Sequence, residues 1–356
     1  MRRTEWRQAL DTLTHAISGA VLARATAGQQ RANTLSLKER TVVGGLAAAA
    51  PDIDFVLTLF GQVIYLEQHR GVTHSVLLLP AWAWLLAVLF AWLGGRRYGW
   101  KAYYGVCALA IGIHIIGDMI TSFGTQILAP FSNWAPGWNL TFILDPWFSA
   151  LLLGGFLLSL YWRPRLAATG TLVVLAAVLL LQYSLQRTAV DVAKAYAEQH
   201  SVAVDAIKVY PQPLSWFNWK VVVVDDETYH LARLNLLLEE PRPDPGESAF
   251  WLRRIWASYE PVERLQWERY RKFGRGGQDP LAREAWAQDD FAFYRWFADL
   301  PLVYAVQTME EKTCVWFYDL QFKFPALTPA FRYGMCRGRG DDWIRHRLSR
   351  GGPVRA

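Results

Sequence analysis

Apolar and polar positions divide this chain near its midpoint. Six stretches of the first half have the apolar content of membrane-embedded helices: residues 10–25, 42–60, 75–94, 103–121, 146–162 and 167–185. Residues 75–94 carry no charge and are long enough to cross a hydrocarbon core. The others differ in quality: 10–25 is amphipathic, 42–60 contains Asp52 and Asp54, and 146–162 is short. From about residue 201 the pattern changes to strands. Residues 202–210, 217–224 and 229–237 are rich in β-branched and aromatic side chains, and Asp225-Asp226-Glu227 supplies a turn. After the break from Pro241 to Gly246, residues 249–296 read as charged, Trp-rich helices, 315–324 as a further strand, and 337–356 as a frayed basic tail. The expected architecture is an α-helical polytopic membrane bundle of five or six transmembrane or membrane-embedded helices over residues 1–186. A soluble α+β domain follows over residues 187–356.

Charge follows the same division. Residues 1–186 contain 13 Lys and Arg and 8 Asp and Glu, whereas residues 187–356 contain 24 and 23, so the net +6 lies almost wholly in short loops of the first half. Such a spread lacks the clustered basic face that tracks phosphates, and no nucleic-acid partner is expected. It does fit the positive-inside rule. Arg24, Arg31, Lys38 and Arg40, then Arg96, Arg97 and Lys101, then Arg163 and Arg165 occupy loops that alternating spans bring to one side, the cytoplasm. The outer side then receives His69, His74, Asp118, the aromatic loop 122–145 and everything after residue 186, which makes the C-terminal domain periplasmic. No cleavable leader is expected, because the segment after the basic start is short and interrupted by Asp11 and His15. Cys107 falls in an apolar run and reads as a core residue, while Cys314 and Cys336 can pair in an oxidising compartment.

Ionisable groups within apolar stretches are costly and usually functional. Four of the seven histidines lie in the first 114 residues, beside apolar runs. His69-Arg70-Gly71-Val72-Thr73-His74 stands at the mouth of the 75–94 run, and His114 and Asp118 have the i, i+4 spacing that puts both on one helix face. Asp52 and Asp54 would diverge on a regular helix, but Pro51 offers a break that lets both face one site. A metal ion is the simplest common cause. Imidazole nitrogen and carboxylate oxygen suit Zn²⁺, with Mn²⁺ or Fe²⁺ as alternatives, and the candidate ligands are His15, Asp52, Asp54, His69, His74, His114 and Asp118. Asp52 and Asp54 are also candidates for general base, and Arg70 for a contact to an anionic substrate. Taken singly, each residue has a plainer reading: a hydrogen-bonded core histidine, a helix-capping aspartate, an Arg70–Glu67 pair, or a proton relay.

The ordered motifs carry more than any one of them. Asp11-x-x-Thr14-His15-x-x-x-Gly19, Pro51-Asp52-x-Asp54, His69-Arg70-x-x-Thr73-His74-Ser75 and His114-x-x-x-Asp118-x-x-Thr121-x-x-Gly124, followed by Ala129-Pro130-Phe131-Ser132, resemble the bacterial inner-membrane metal-dependent hydrolases of YdjM type over roughly residues 11–160. The resemblance implies a membrane-embedded hydrolase and supports His15 as part of the site. It gives no role to the C-terminal domain. The expected function is hydrolysis by a metal-activated water at the outer membrane–water interface. The lipid bilayer is the expected surrounding, and the substrate an amphiphilic ester or phosphoester, such as a phospholipid or lipid-linked phosphate. A transporter handling ions or protons through the same residues, and a membrane anchor carrying an envelope-binding module, are the alternatives.

Overall fold

Helix α1 (Arg2–Ala25) is followed by α2 (Leu37–Ala49), whose start is set by a capping box. The Ser36 side chain accepts from Glu39 N at 3.3 Å, and Ser36 N donates to the Glu39 carboxylate at 2.7 Å. Pro51 then turns α2 into a 3-10 helix, Ala50–Leu59, because proline offers no N–H to continue the α-helical ladder. The computed structural model describes residues 2–29, 33–274, 276, 279–309, 312–338, 340, 342–349 and 352–355, so Arg31 lies outside the described residues. After α3 (Gln62–Gln68) and a single 3-10 turn, Val72–His74, come α4 (Leu79–Leu93), α5 (Trp100–Met119), α6 (Pro146–Tyr161) and α7 (Pro164–Gln199).

Among the described residues, three helices are long and apolar enough to cross a membrane: Leu37–Leu59, α5 and α7. Gln62–His74 and α4 pass the same test only together, bent by 80° at the break between them, and add a fourth if the pair is one broken span. Sequence reading expected five or six transmembrane or membrane-embedded helices, and the two remaining ones, α1 and α6, fall short of this measure of length and composition for different reasons. Helix α1 has the length but carries Asp11 and His15 in its middle turns. Helix α6 is apolar, and its 16 residues cover about 24 Å of a hydrocarbon core of about 30 Å, a shortfall that local thinning of the bilayer accommodates.

The first half packs through small residues, as helices do in lipid, where apolar burial alone gives no drive to associate. A Cβ on Gly19 would lie 2.3 Å from the Gly44 carbonyl oxygen, so only glycine lets α1 and α2 approach this closely. Ala47, Ala48, Ala83, Ala87, Cys107, Ala110 and Ile111 form the core joining α2, α4 and α5. The outward faces remain apolar, with Trp84, Leu85, Leu89 and Trp92 of α4 exposed, as lipid contact requires.

The chain forms two compact units, Met1–Phe60 with Gln68–Ser184, and Gly61–Glu67 with Leu185–Ala356. In the second, β1 (Ala206–Pro211), β2 (Asn218–Asp225), β3 (Thr228–Asn235) and, after α8 (Trp251–Ala257), β4 (Glu268–Arg271) form an antiparallel sheet in sequence order. Helices α9 (Asp279–Ala287) and α10 (Ala292–Phe297) precede a five-stranded antiparallel meander of β5 (Pro301–Met309), β6 (Lys312–Asp319), β7 (Tyr333–Arg337), β8 (Ile344–Ser349) and β9 (Gly352–Arg355). Strand β2 is buried on both faces. Its Trp219, Val221 and Val223 pack on Ala189, Ala193 and Tyr196 of α7, while Val222 packs with Leu300, Leu302 and Tyr318. Cys314 and Cys336 are direct partners across β6 and β7 and form a disulfide. The basic tail expected at the C-terminus is therefore largely sheet: main-chain pairing with β7 holds β8 despite its polar side chains.

Candidate metal centre

Four segments of the first unit bring their polar residues together. Helix α1 presents Asp11 and His15 one turn apart, and α5 presents His114 and Asp118 in the same way. The 3-10 helix after α2 supplies Asp52 and Asp54, and the turns after α3 supply His69, Arg70 and His74. His74 and His114 have no exposed surface, and Asp118 and Arg70 retain 1% and 3%. Groups so buried need partners, and most of them are one another.

The centre of the cluster is a facing pair of imidazoles. His114 Nδ1 lies 2.6 Å from the Ala48 carbonyl oxygen, to which it donates. That carbonyl is available because a 3-10 bond to it would need an N–H on residue 51, which is proline. Donation through Nδ1 leaves His114 Nε2 as a lone pair in the neutral ring. His74 Nε2 lies 2.8 Å from it, with His74 Nδ1 held 2.9 Å from Thr73 Oγ1. Asp118 Oδ2 is 3.1 Å from His74 Nε2 and 3.3 Å from His114 Nε2, yet among the described residues it makes no hydrogen bond of acceptable geometry. Asp52 Oδ1 closes the group at 3.8 and 3.6 Å from the same two nitrogens, and its Oδ2 accepts from Thr12 Oγ1 at 2.7 Å.

Two triplets have ligand atoms close enough for one ion, His15 with His114 and Asp118, and Asp52 with His74 and His114. Nitrogen lone pairs and a carboxylate oxygen lacking a donor form a donor set that suits a divalent transition metal. Of the seven candidate ligands, five fall in these triplets. The other two stand beside them: His69 Nδ1 lies 3.1 Å from Asp54 Oδ2, and that oxygen also accepts from Arg70 N at 3.0 Å. Asp54 Oδ2 reaches toward His74 only at Nδ1, 3.8 Å away.

Arg70 faces inward. Its Nη2 lies 2.9 Å from Asp118 Oδ1 and 3.5 Å from Asp11 Oδ2, and its Nη1 donates to Thr121 Oγ1 at 3.0 Å. Sequence reading aimed this guanidinium at an anionic substrate, but the carboxylates it meets belong to the protein. Its backbone has φ 57°, the left-handed region that bulky residues seldom occupy unless their surroundings hold them there.

Asp11 is the residue that motif reading quoted without placing in the site. Its Oδ1 lies 3.7 Å from His15 Nε2, and the i, i+4 spacing already used for His114 and Asp118 was the signal. Thr73 stood in the quoted motif as well, whereas the Thr12 hydroxyl and the Ala48 carbonyl had no such signal. Gly117 also belongs to the site by absence: a Cβ there would fall 3.0 Å from His15 Cε1, so glycine lets the ring lie against α5.

The family model of the YdjM inner membrane protein matches residues 10–189, which contain the whole cluster. The chain belongs to the YdjM family. An uncharacterized protein of Bacillus subtilis (strain 168), YfhP, is 29% identical over 139 residues, 38% of this chain and 42% of the relative. The aligned part is therefore less than half of that relative's length. No solved structure matches the chain. With apolar spans and membership of an inner-membrane family, this is a membrane protein whose buried His/Asp groups can hold a metal ion.

Proposed function

We propose that this YdjM-family protein is a metal-dependent hydrolase that acts at the outer membrane–water interface on an amphiphilic ester or phosphoester. The observation that carries the reading is the convergence of His74 Nε2, His114 Nε2 and Asp118 Oδ2, with Asp118 Oδ2 lacking any hydrogen-bond donor among the described residues. His74, His114 and Asp118 would hold the ion, with Asp52 and His15 beside them; Zn²⁺ suits this set best, with Mn²⁺ or Fe²⁺ as alternatives. When bound, such an ion supplies Lewis acidity, making water a stronger acid and polarising the scissile bond. Asp52 is the more open carboxylate of the central group, with 17% of its side chain exposed against 1% for Asp118, and so suits the general base. The remaining residues orient. Asp54 ties His69 to the Arg70 main chain, and the Ala48 carbonyl fixes the His114 ring.

The nine-cation loop asymmetry supports an outer site and a periplasmic C-terminal unit. The Cys314–Cys336 disulfide supports the same assignment, since such bonds persist in oxidising compartments. Ion or proton translocation is the second reading. It is favoured by the row of ring contacts from His15 through His114 to His74, with centroid separations of 3.9 and 4.7 Å. Elemental analysis of detergent-purified protein, followed by a panel of long-chain and short-chain esters and phosphoesters, separates them. Stoichiometric metal with chelator-sensitive turnover of the long-chain substrates is the expected result. Absence of bound transition metal after reconstitution overturns the hydrolase, and metal flux in proteoliposomes without turnover favours transport.

A further inference from the structure

We infer that the centre is mononuclear, because the Arg70 guanidinium occupies the position that a second metal ion would take. The inference rests on the metal reading above and concerns the other side of the same cluster. Asp118 is placed as a bridging carboxylate is in a two-ion site. Its Oδ2 faces the His74 and His114 nitrogens, while its Oδ1 lies 3.2 Å from His15 Nε2. Asp11 flanks that second side, with Oδ1 at 3.7 Å from His15 Nε2. One imidazole and two carboxylates are by themselves a competent set for a divalent ion, and paired ions about 3.5–4 Å apart commonly share such a carboxylate.

The second set is already served by a cation. Arg70 Nη2 lies 2.9 Å from Asp118 Oδ1 and 3.5 Å from Asp11 Oδ2, between the two carboxylates that a second ion would need. The guanidinium cannot readily move aside. Nη1 donates to Thr121 Oγ1 at 3.0 Å and to the Asp118 carbonyl at 3.4 Å, and the Phe123 ring lies 5.2 Å from Cζ. The main chain is anchored from both sides, Arg70 N donating to Asp54 Oδ2 at 3.0 Å and Arg70 O accepting from Gln126 N at 2.9 Å. A guanidinium stays protonated in proteins, so proton loss cannot vacate the position. A dication a few ångströms from it in a buried site would meet strong repulsion. Arg70 is thus a positioning residue: it neutralises the Asp11 side and holds Asp118 with Oδ2 turned toward the histidine pair.

The test uses the full-length protein in detergent, loaded with Mn²⁺ and dialysed, with stoichiometry read by elemental analysis and ion–ion coupling by electron paramagnetic resonance. Wild type is expected to hold about one ion per folded chain, with the spectrum of isolated ions. Arg70→Asn removes the cation with a side chain that tolerates left-handed backbone, and is expected to admit a second, spin-coupled ion. A wild type with two coupled ions overturns the inference, as does a folded Arg70→Asn protein that stays at one ion under saturating Mn²⁺. A wild type holding no ion overturns the metal reading itself, so the two failures are distinct. Should Arg70→Asn not fold, Asp11→Asn decides: stoichiometry unchanged at about one supports the inference, and a fall from about two to one refutes it.

Discussion

His74 and His114 face one another through their Nε2 atoms, 2.8 Å apart, at a point where Asp118 brings a carboxylate oxygen without a donor. His74→Ala and Asp118→Ala should each abolish stoichiometric metal binding and leave a folded, membrane-inserted protein. Loss of a direct ligand should exceed the roughly 10–100-fold typical of an outer partner. If these residues formed only structural hydrogen bonds, each substitution would instead lower stability by roughly 1–3 kcal/mol with no metal in any form of the protein. Elemental analysis at equal folded fraction distinguishes the two.

Asp52 and Asp54 should separate in their effects. Asp54 contacts His69 and the Arg70 main chain, so Asp54→Asn should weaken metal affinity by roughly 10–100-fold without changing stoichiometry. Asp52→Asn should retain the metal and slow turnover by about 10²–10⁴-fold, as loss of a general base does. Metal titration and steady-state kinetics on both variants check this, and identical profiles would count against the division of roles.

Reporter fusions after Arg97 and Arg165 should read cytoplasmic, and fusions after Asn139 and Asp205 periplasmic. A cytoplasmic signal after Asp205 would move the C-terminal unit to the reducing side and remove the support that the disulfide lends.

Denatured, unreduced protein should expose one reactive thiol, that of Cys107, because Cys314 and Cys336 are bonded. The Cys314→Ser, Cys336→Ser double variant should lose about 2–4 kcal/mol of stability, chiefly through a less constrained unfolded chain. Thiol labelling and chemical denaturation read the two effects independently.

Asp319 in the C-terminal unit should make stability pH-dependent. Burial pushes its carboxyl up to about 6 from an ordinary 3.8, against the opposing hydrogen bonds from the main-chain N–H groups of Gln321, Asp299 and Leu300. The folded state therefore binds the proton more tightly than the unfolded one. This contribution is complete below pH about 4 and is lost as pH rises to about 6, a difference of roughly 3 kcal/mol. Thermal unfolding of wild type and Asp319→Asn across that range should show wild type losing stability relative to the variant. Parallel curves would refute the assignment.

Much of this was legible in one dimension. Long apolar runs with few charges can be satisfied only in lipid or a core, so the helical first half followed from the pattern alone, as did the change to β structure, expected from about residue 201 and found from Ala206. The i, i+4 spacing of His114 and Asp118 and the cost of charge in an apolar run likewise marked the site. What sequence could not supply was direction. Asp52 and Asp54 are two residues apart, and only the 3-10 turn after Pro51 sends the first to His74 and His114 and the second to His69. Arg70 reads as a free cation beside two histidines until α1 and α5 bring Asp11 and Asp118 against it from distant parts of the chain. The last strands were hidden for a related reason: β8 is held by main-chain hydrogen bonds to β7, and a backbone ladder leaves no mark on side-chain polarity.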